Sequence, residues 1–301
     1  MDKQLVMLRR SLFCVMLHLM VSCAIVAGML FCSPQSACCA TAPLSFGVVT
    51  QRSILLTARY WNPILIYLEK RSGVPLVLKV EKTAPEHSRQ VGRGSYDLIY
   101  SNHFFTKNNA KAGYRVLARP VGPPITGEIV VPHDSPITGI DDLNGSEVGF
   151  PSPAAFVAYA VPLEAMARKG ITVKPVFAGN QEGIMGQLKA GRIAAACVNS
   201  QIMRSYATRE NFRYRVVWRS PEYLNLPVAA HPRVAAGTAS AVIGALVGMA
   251  HDPEGKQILE KGGALIGQSP PYGFVRATDR EYRNQWKFYE QSLMPEFAHG
   301  H

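Results

Sequence analysis

The chain has 301 residues, enough for a core larger than that of one ordinary domain, so two lobes are expected. Its 32 Lys and Arg side chains outnumber 21 Asp and Glu and give a net charge of +11, but they are scattered singly, without runs or interleaved aromatic residues. This pattern argues against nucleic-acid binding. It agrees with attraction of small anions and equally with a merely solvated basic surface.

Residues 1–40 have the composition of an export segment. Met1–Arg10 is basic, Ser11–Cys32 is almost wholly apolar, and the small residues from Ser36 to Ala40 suit cleavage near position 39 or 40. The apolar part is longer than the roughly 7–15 residues of a signal core and approaches the roughly 20 of a membrane span. An uncleaved anchor therefore stays open as an alternative, and so does a lipoprotein at Cys23, whose context is only loosely like a lipoprotein box. All three alternatives predict an exported protein.

The rest of the chain offers little for catalysis. Five of the six cysteines lie in the export segment, and Cys197, in the apolar run Ile193–Val198, is predicted to be a buried and inert thiol. The sequence has no nucleophile-elbow, phosphate-loop or zinc-protease motif and no cluster of Cys and His. We therefore expect a protein that is not an enzyme and that needs neither a metal nor another cofactor.

The first part of the chain alternates between strands and helix. Apolar residues recur at helical spacing from Leu55 to Leu68, directly after the first strand, and a strand–helix–strand order implies a parallel pair with a right-handed crossover. The Pro-rich piece Pro120–Thr126 then breaks the pattern, as expected where the chain crosses to a second lobe. Strands are predicted at Leu44–Val49, Leu76–Val80, Asp97–Tyr100 and Val116–Ala118.

The middle of the chain repeats this alternation before it crosses back at Ser220–Pro227. Ser152-Pro153 is predicted to provide the cap and the first residue of a helix over Ala155–Lys169. Later helices are predicted from Gly179 to Ala190, at Ser200–Thr208, near Ala239–Ala250 and near Asp279–Met294. Strands are predicted at Glu128–Val131, Glu147–Phe150, Lys174–Phe177, Ile193–Val198 and Tyr214–Val217.

This order of elements predicts an α/β fold of two lobes. The first lobe would hold residues 44–121 and 226–301, and the second would hold residues 126–220. Two crossings between two lobes form a hinge, and the cleft between the lobes is the default place for a ligand.

Four polar turns lie where a predicted strand ends and a helix starts. In an α/β lobe these junctions share the carboxyl edge of the sheet, where free amides and the positive ends of helix dipoles can hold an anion. Each turn could also serve only to cap its helix, which alone accounts for Ser152 and Asn180. The turns are Thr50–Ser53, Ser101–His103, Ser152–Pro153 and Gly179–Glu182.

Candidate ligand contacts are taken from these turns and from the residues beside them. Several of them could have a structural role instead of contacting a ligand. Tyr100 and Phe156 suit a buried core, and His103 suits a structural hydrogen bond. The candidates are Thr50, Gln51, Arg52, Tyr100, Asn102, His103, Ser152, Ala154, Ala155, Phe156, Asn180 and Gln181.

One ordered set of segments extends over most of the chain. In chain order it includes Phe46–Val49, Trp61–Pro63, Tyr96–Tyr100, Gly127–Val131, Asp134–Ile137, Asp142–Gly145, Val148–Pro153, Ala230–Val234 and Gly273-Phe274. These segments resemble the phosphate, phosphite and phosphonate substrate-binding proteins of ABC importers, over about residues 45–285. The resemblance implies a type II periplasmic-binding-protein fold with two Rossmann-like lobes, and a periplasmic monomer that passes a small, phosphonate- or phosphate-like anion to an ABC permease.

The chain departs from this family at three places. The Ser/Thr-rich triplet of phosphonate binders corresponds to Ala154-Ala155-Phe156, Gln181 stands in place of a histidine, and Ala194-Ala195 stands where some members carry an acidic residue. We therefore expect a ligand other than inorganic phosphate or a simple aminoalkylphosphonate, with an apolar portion that Phe156 could contact. The alternative function is a ligand-sensing module that presents its bound state to a membrane sensor or receptor.

Overall fold

The computed structural model describes residues 42–294, so the predicted export segment lies outside the described residues. In chain order the strands are β1 (Leu44–Val48), β2 (Leu76–Lys79), β3 (Leu98–Tyr100), β4 (Arg115–Pro120), β5 (Gly127–Pro132), β6 (Glu147–Phe150), β7 (Lys174–Phe177), β8 (Ala196–Asn199), β9 (Tyr214–Arg219), β10 (Val228–Ala230) and β11 (Phe274–Arg276). The α-helices are α1 (Ile54–Ser72), α2 (Ala84–Gly92), α3 (Lys107–Ala110), α4 (Val161–Arg168), α5 (Gln181–Lys189), α6 (Ser200–Glu210), α7 (Ala236–Gly248), α8 (Pro253–Ile266) and α9 (Arg283–Gln291). Within residues 42–294 no helix has both the length and the hydropathy needed to cross a membrane.

The first sheet has the strand order β11-β4-β10-β3-β1-β2, and we call this sheet with its helices the first lobe. β1 runs parallel to β2 and β3, whereas β10 and β11 pair with their neighbours antiparallel. Helix α2 connects β2 to β3. The sequence analysis did not predict this helix. Its buried face consists largely of Ala84, His87 and Ser88, so few strongly apolar residues mark that face in the sequence.

The second sheet has the order β7-β6-β8-β5-β9 and forms, with its helices, the second lobe. β6 runs parallel to β7 and β8, and β5 pairs antiparallel with β8 and β9. Cys197 lies in β8 with no exposed surface, as predicted, and burial raises the pKa of its thiol well above the usual value.

The two segments that cross between the lobes are paired with each other. Ile125 and Tyr223 exchange both backbone hydrogen bonds, at N–O distances of 2.7 and 2.8 Å. At the entry to the second lobe the Thr126 amide donates to Ser200 Oγ (3.0 Å), and the Gly127 amide donates to Ser220 Oγ (2.9 Å). The hinge is thus a short two-stranded connection anchored by side-chain hydroxyls.

The C-terminal residues contact both lobes. Tyr282 stacks on Phe105 of the first lobe (5.4 Å between ring centroids), and its hydroxyl donates to Asn225 O in the hinge (2.7 Å). Ser292 Oγ, just after α9, donates to Glu164 of the second lobe (2.7 Å). These contacts place α9 beside the helix that begins at the cleft.

At Gly127 the hinge passes close to that helix. A Cβ atom at this position would lie 2.0 Å from the carbonyl oxygen of Val157, so Gly127→Ala must displace backbone. Overpacking of this kind costs about 1–3 kcal/mol, and we expect urea denaturation to show a loss of that size in the free energy of unfolding. Gly139→Ala is the matched control, because nothing lies within 4 Å of its Cβ position and its φ of −153° is extended. Equal stability of the two variants would contradict the close packing of hinge and helix.

Candidate functional site

The lobes touch each other at the carboxyl ends of their parallel strands. The Gln181 amide, at the start of α5, donates to the carbonyl oxygen of Gln51, which follows β1 (3.2 Å). Next to this bond Arg52 Nε lies 3.9 Å from Glu182 Oε1. Two cavities lie between the lobes, and Val49 and Gln51 line both of them.

We call the first cavity the helix-end chamber, because it lies at the N-terminal end of the helix that starts at Phe156. It encloses about 480 Å³ of space, including its opening to solvent. Its lining combines residues of both lobes: Val49, Thr50, Gln51, Ala84, Asn102, His103, Ile125, Pro151, Ser152, Ala155, Phe156, Val157, Ala158, Asn180, Gln181, Asn199 and Leu226.

The helix at this chamber begins differently from the prediction. Ser152 is not its cap, and Pro153 is not its first residue. Instead Ser152 closes a tight turn, in which its Oγ accepts from the Ala154 amide (3.1 Å) and its carbonyl oxygen accepts from the Ala155 amide (3.1 Å). The helix starts at Phe156 with a π-helical turn and continues as α4.

The wide first turn changes which amides can meet a ligand. The first i to i−5 bond joins the Ala160 amide to Ala155 O (3.0 Å), so the amides of Phe156, Val157 and Ala158 precede it. All three residues line the chamber. Amides at a helix start lack partners within the helix and carry the positive end of its dipole. These three amides are therefore candidates for contact with an anion, whereas the Ala155 amide already donates to Ser152 O.

Most polar side chains predicted to contact a ligand also hold the backbone in place. Thr50 Oγ1 donates to Glu81 O (2.7 Å), and Gln181 Oε1 accepts from the Asn199 amide (3.1 Å). Asn180 Oδ1 caps α5 by accepting from the Gly183 amide (2.9 Å). The NH2 groups of Asn180 and Gln181 are then the parts of these side chains that suit donation to a ligand.

His103 is the exception among the polar residues of this chamber. Its ring is 4 % exposed and hydrogen-bonds to the backbone of Ala154 in the other lobe, whereas its Nδ1 has no partner among the described residues. The fully buried ring of His87 lies 5.4 Å away. Burial lowers the pKa of His103 to about 4, so the ring is neutral at pH 7 and Nδ1 is a hydrogen-bond acceptor.

Arg52 and Tyr100 line the second cavity, and Gln51 lines both. We call this cavity the aromatic chamber. The residues that line it are Val48, Val49, Gln51, Arg52, Leu56, Thr57, Tyr60, Trp61, Tyr100, Pro120, Gln201, Ile202, Ser205, Asn225, Ile266, Gln268, Tyr272, Gly273 and Phe274. Burial lowers the pKa of Arg52 from its usual value against the attraction of Glu182, and burial raises the pKa of Tyr60 to about 12.

Two of the predicted contacts have other roles. Ala154 lines neither chamber. It packs against Val49, Ala84 and Leu226, and this apolar contact joins the two lobes. Phe156 is on the chamber wall but only 4 % exposed, and its ring packs on three others, Tyr223 (4.8 Å), Phe288 (5.2 Å) and Tyr289 (5.4 Å). These neighbours cover most of the ring, so Phe156 has little apolar surface left for a ligand, and its contact with one stays a prediction.

Sequence reasoning missed further lining residues. Asn199 could have been found, since it ends the buried strand β8 and caps α6 by accepting from the Gln201 amide (2.9 Å), the same kind of junction as the four turns. Val157 and Ala158 could not be identified from the sequence, because the groups they would offer are backbone amides, which do not depend on the type of side chain. Among residues 42–294 no group of three or more His, Cys, Asp or Glu side chains is placed to hold a metal ion.

The depressed pKa of His103 predicts a pH-dependent stability. In the unfolded chain the imidazole takes up a proton near its ordinary pKa of 6.5, but in the folded protein it does so only near 4. Between these values the unfolded state binds more protons, so the free energy of unfolding should fall as the pH falls from 6.5 to 4, by roughly 2–3 kcal/mol from this group. His103→Gln should reduce this pH dependence in urea titrations. His251→Gln, on an exposed ring, is the control, and equal pH slopes in both variants would contradict the assignment.

Comparisons with known proteins agree with this geometry. A model of the family described as the periplasmic substrate-binding protein of a phosphonate ABC transporter matches residues 46–282. A search of curated proteins found no match.

Three solved proteins share the fold at low sequence identity. A binding-protein component of an ABC phosphonate transporter from Pseudomonas aeruginosa is 15% identical, with a TM-score of 0.70 over 83% of this chain and 87% of that one. PhnD1 from Prochlorococcus marinus, solved with methylphosphonate, is 15% identical, with a TM-score of 0.66 over 82% and 97%. A Xanthomonas citri protein bound to ATP is 14% identical, with a TM-score of 0.64 over 82% and 97%. The predicted type II periplasmic-binding-protein fold is thus confirmed.

Proposed function

The chain belongs to the periplasmic substrate-binding proteins of phosphonate ABC transporters, and from this premise we propose that it captures a small phosphonate-like anion in the helix-end chamber for an ABC permease. We propose further that residues 1–40 direct export and that the mature protein acts as a monomer. The family is a binding component of a transporter, so ligand binding and closure of the lobes are the relevant chemistry.

One observation carries the choice of site. The helix-end chamber brings the amides of Phe156, Val157 and Ala158 from the second lobe to face Gln51 and His103 of the first. A ligand bound there contacts both lobes at once. Because it makes these contacts only when the lobes are together, its binding favours the closed arrangement.

The chamber favours an anionic ligand. The helix amides are donors, and the His103 ring beside them is neutral. These donors suit the oxygens of a phosphonate or a related organic anion, and methylphosphonate is bound in the structure of the Prochlorococcus relative.

The missing hydroxyl triplet predicts weak binding of the simplest anions. Each charge-assisted hydrogen bond lost with a Ser or Thr costs about 1.5–3 kcal/mol, and Ala154-Ala155-Phe156 has no hydroxyl. Calorimetry with phosphate, phosphite, methylphosphonate and 2-aminoethylphosphonate should give dissociation constants no tighter than about micromolar. A nanomolar titration with any of the four would show that the backbone amides suffice. Native mass spectrometry of protein purified from the periplasm should reveal a bound organic anion, and a cation bound instead would contradict the proposal.

Ala155 allows the anion site to be tested without loss of the fold. It is the N-cap of the π-turn, and no side chain caps the helix there. Ala155→Asp should stabilise the helix by about 0.5–2 kcal/mol but place a carboxylate beside the helix amides. Ala155→Asn should cap the helix similarly without the charge.

We expect Ala155→Asp to bind the tightest of the four anions at least about tenfold more weakly than Ala155→Asn does, because like charges repel at the same site. Thermal denaturation of both variants controls for folding. Equal affinities in two stable variants would move the anion away from this helix end.

A further inference from the structure

The aromatic chamber is the larger of the two cavities in the cleft. It encloses about 830 Å³, including its opening to solvent, and lies between the turn after β1, helix α1 and the start of α6. About 60 Å³ of this space can hold the centre of a water molecule, which is room for several waters. The chamber can therefore admit part of an organic group.

One wall is an aromatic cluster built around Trp61. Its ring lies 4.9 Å from Tyr100, 5.5 Å from Tyr60 and 6.1 Å from Phe274. Trp61 and Phe274 are buried, whereas Tyr60, Tyr100 and Tyr272 are partly exposed where they line the chamber. Flat rings of this kind receive another ring in offset or edge-to-face contact.

Arg52 supplies the one cationic side chain among the residues that line this chamber. Its side chain is 15% exposed, and its buried Nε has no hydrogen-bond partner among the described residues. Glu182 is 3.9 Å away and is bound more closely by Arg209 (3.0 Å). The Nε–H group of Arg52 is thus removed from water without a hydrogen-bond partner among the described residues. A guanidinium in this state gains from an acceptor atom and from an aromatic face stacked on it.

The two chambers are adjacent, since Val49 and Gln51 line both. We propose that the ligand is an organic phosphonate or phosphate with an aromatic ring: the anion occupies the helix-end chamber, and the ring extends past Gln51 into the aromatic chamber against Arg52. This inference rests on the proposed function. In this arrangement the aromatic chamber receives the apolar portion of the ligand, because the ring of Phe156 is covered by its neighbours.

A matched series of ligands tests the proposal by calorimetry. Methylphosphonate, 2-cyclohexylethylphosphonate and 2-phenylethylphosphonate share the same anion and differ in what can reach the aromatic chamber. We expect 2-phenylethylphosphonate to bind at least about tenfold more tightly than methylphosphonate and about threefold more tightly than the cyclohexyl compound, because a ring face can stack on the guanidinium and the tyrosines.

Two substitutions in the wall of the chamber locate the effect. Leu56→Trp should fill the chamber, and Tyr272→Ala should remove part of its wall. We compare the dissociation constant of methylphosphonate with that of 2-phenylethylphosphonate, and in each variant their ratio should fall toward one. Leu55→Trp makes the same change one residue earlier, on a side chain that is 70 % exposed and outside the chamber, and should keep the wild-type ratio. Thermal melts check that the variants fold.

The outcomes separate this inference from the proposed function. Equal binding of the methyl and phenylethyl compounds, or of the cyclohexyl and phenylethyl compounds, would overturn the aromatic assignment and leave anion capture intact. An unchanged ratio in both wall variants would also overturn it. Binding of none of the three phosphonates would count against the proposed function and, with it, against the inference.

Discussion

Burial of polar groups without loss of their hydrogen bonds is the constraint on which the cleft depends. A buried donor or acceptor without a partner costs about 1–3 kcal/mol, and the cleft contains many such groups. Thr50, Ser152 and Gln181 are each less than 10 % exposed, and each is bonded to a nearby backbone group. These bonds fix the loops that form the chambers. They also explain why residue types that look suited to a ligand are engaged in holding the backbone.

Three contacts that join loops of the two lobes at the cleft are individually weak. The Gln181–Gln51 backbone bond contributes about 1 kcal/mol net, and an ion pair at 3.9 Å that is partly exposed contributes about 0–1 kcal/mol. The small apolar cluster of Val49, Ala84 and Leu226 with Ala154 adds a modest burial. Further contacts come from the ring of His103 on Ala154, from the hinge and from the C-terminal residues. The three loop contacts together are of the size that a ligand contacting both lobes can overcome or supply, and in the proposed function such binding governs opening and closing of the cleft.

Much of the fold could be predicted from the sequence because its strands are apolar and its turns are rich in Gly, Pro and Asn. The pattern failed where burial does not follow hydrophobicity. Helix α2 buries His87 and Ser88, and α8 buries glycines such as Gly255 and Gly263, so few strongly apolar residues mark the buried faces of these helices. The start of the helix at Phe156 was misplaced for a related reason. Ser152 and Pro153 are typical of a helix start, but the side chain of Ser152 closes its own turn, and nothing in the sequence distinguishes these two uses.

The candidate site was predicted as a region more accurately than as a set of side chains. Strand-to-helix junctions can be read from a sequence, and they led to most residues of the helix-end chamber. The backbone amides of Val157 and Ala158 depend on the π-turn, and the separation of Arg52 from His103 into different chambers depends on packing between the lobes. Both are tertiary properties, so residue types alone do not reveal them.

In the proposed function, the distribution of charge accounts for selection of an anion without a lysine in either chamber. His103 is neutral, and the helix end contributes only partial positive charge, so the helix-end chamber presents dipoles where a full positive charge would have to be desolvated. The full charge of Arg52 is in the neighbouring chamber, balanced in part by Glu182. A small anion would lose its hydration shell on entry and gain only these dipoles. In the proposed mode of binding, a larger anion would also gain contact with the aromatic wall, so discrimination between ligands would come from the chamber that does not hold the anion.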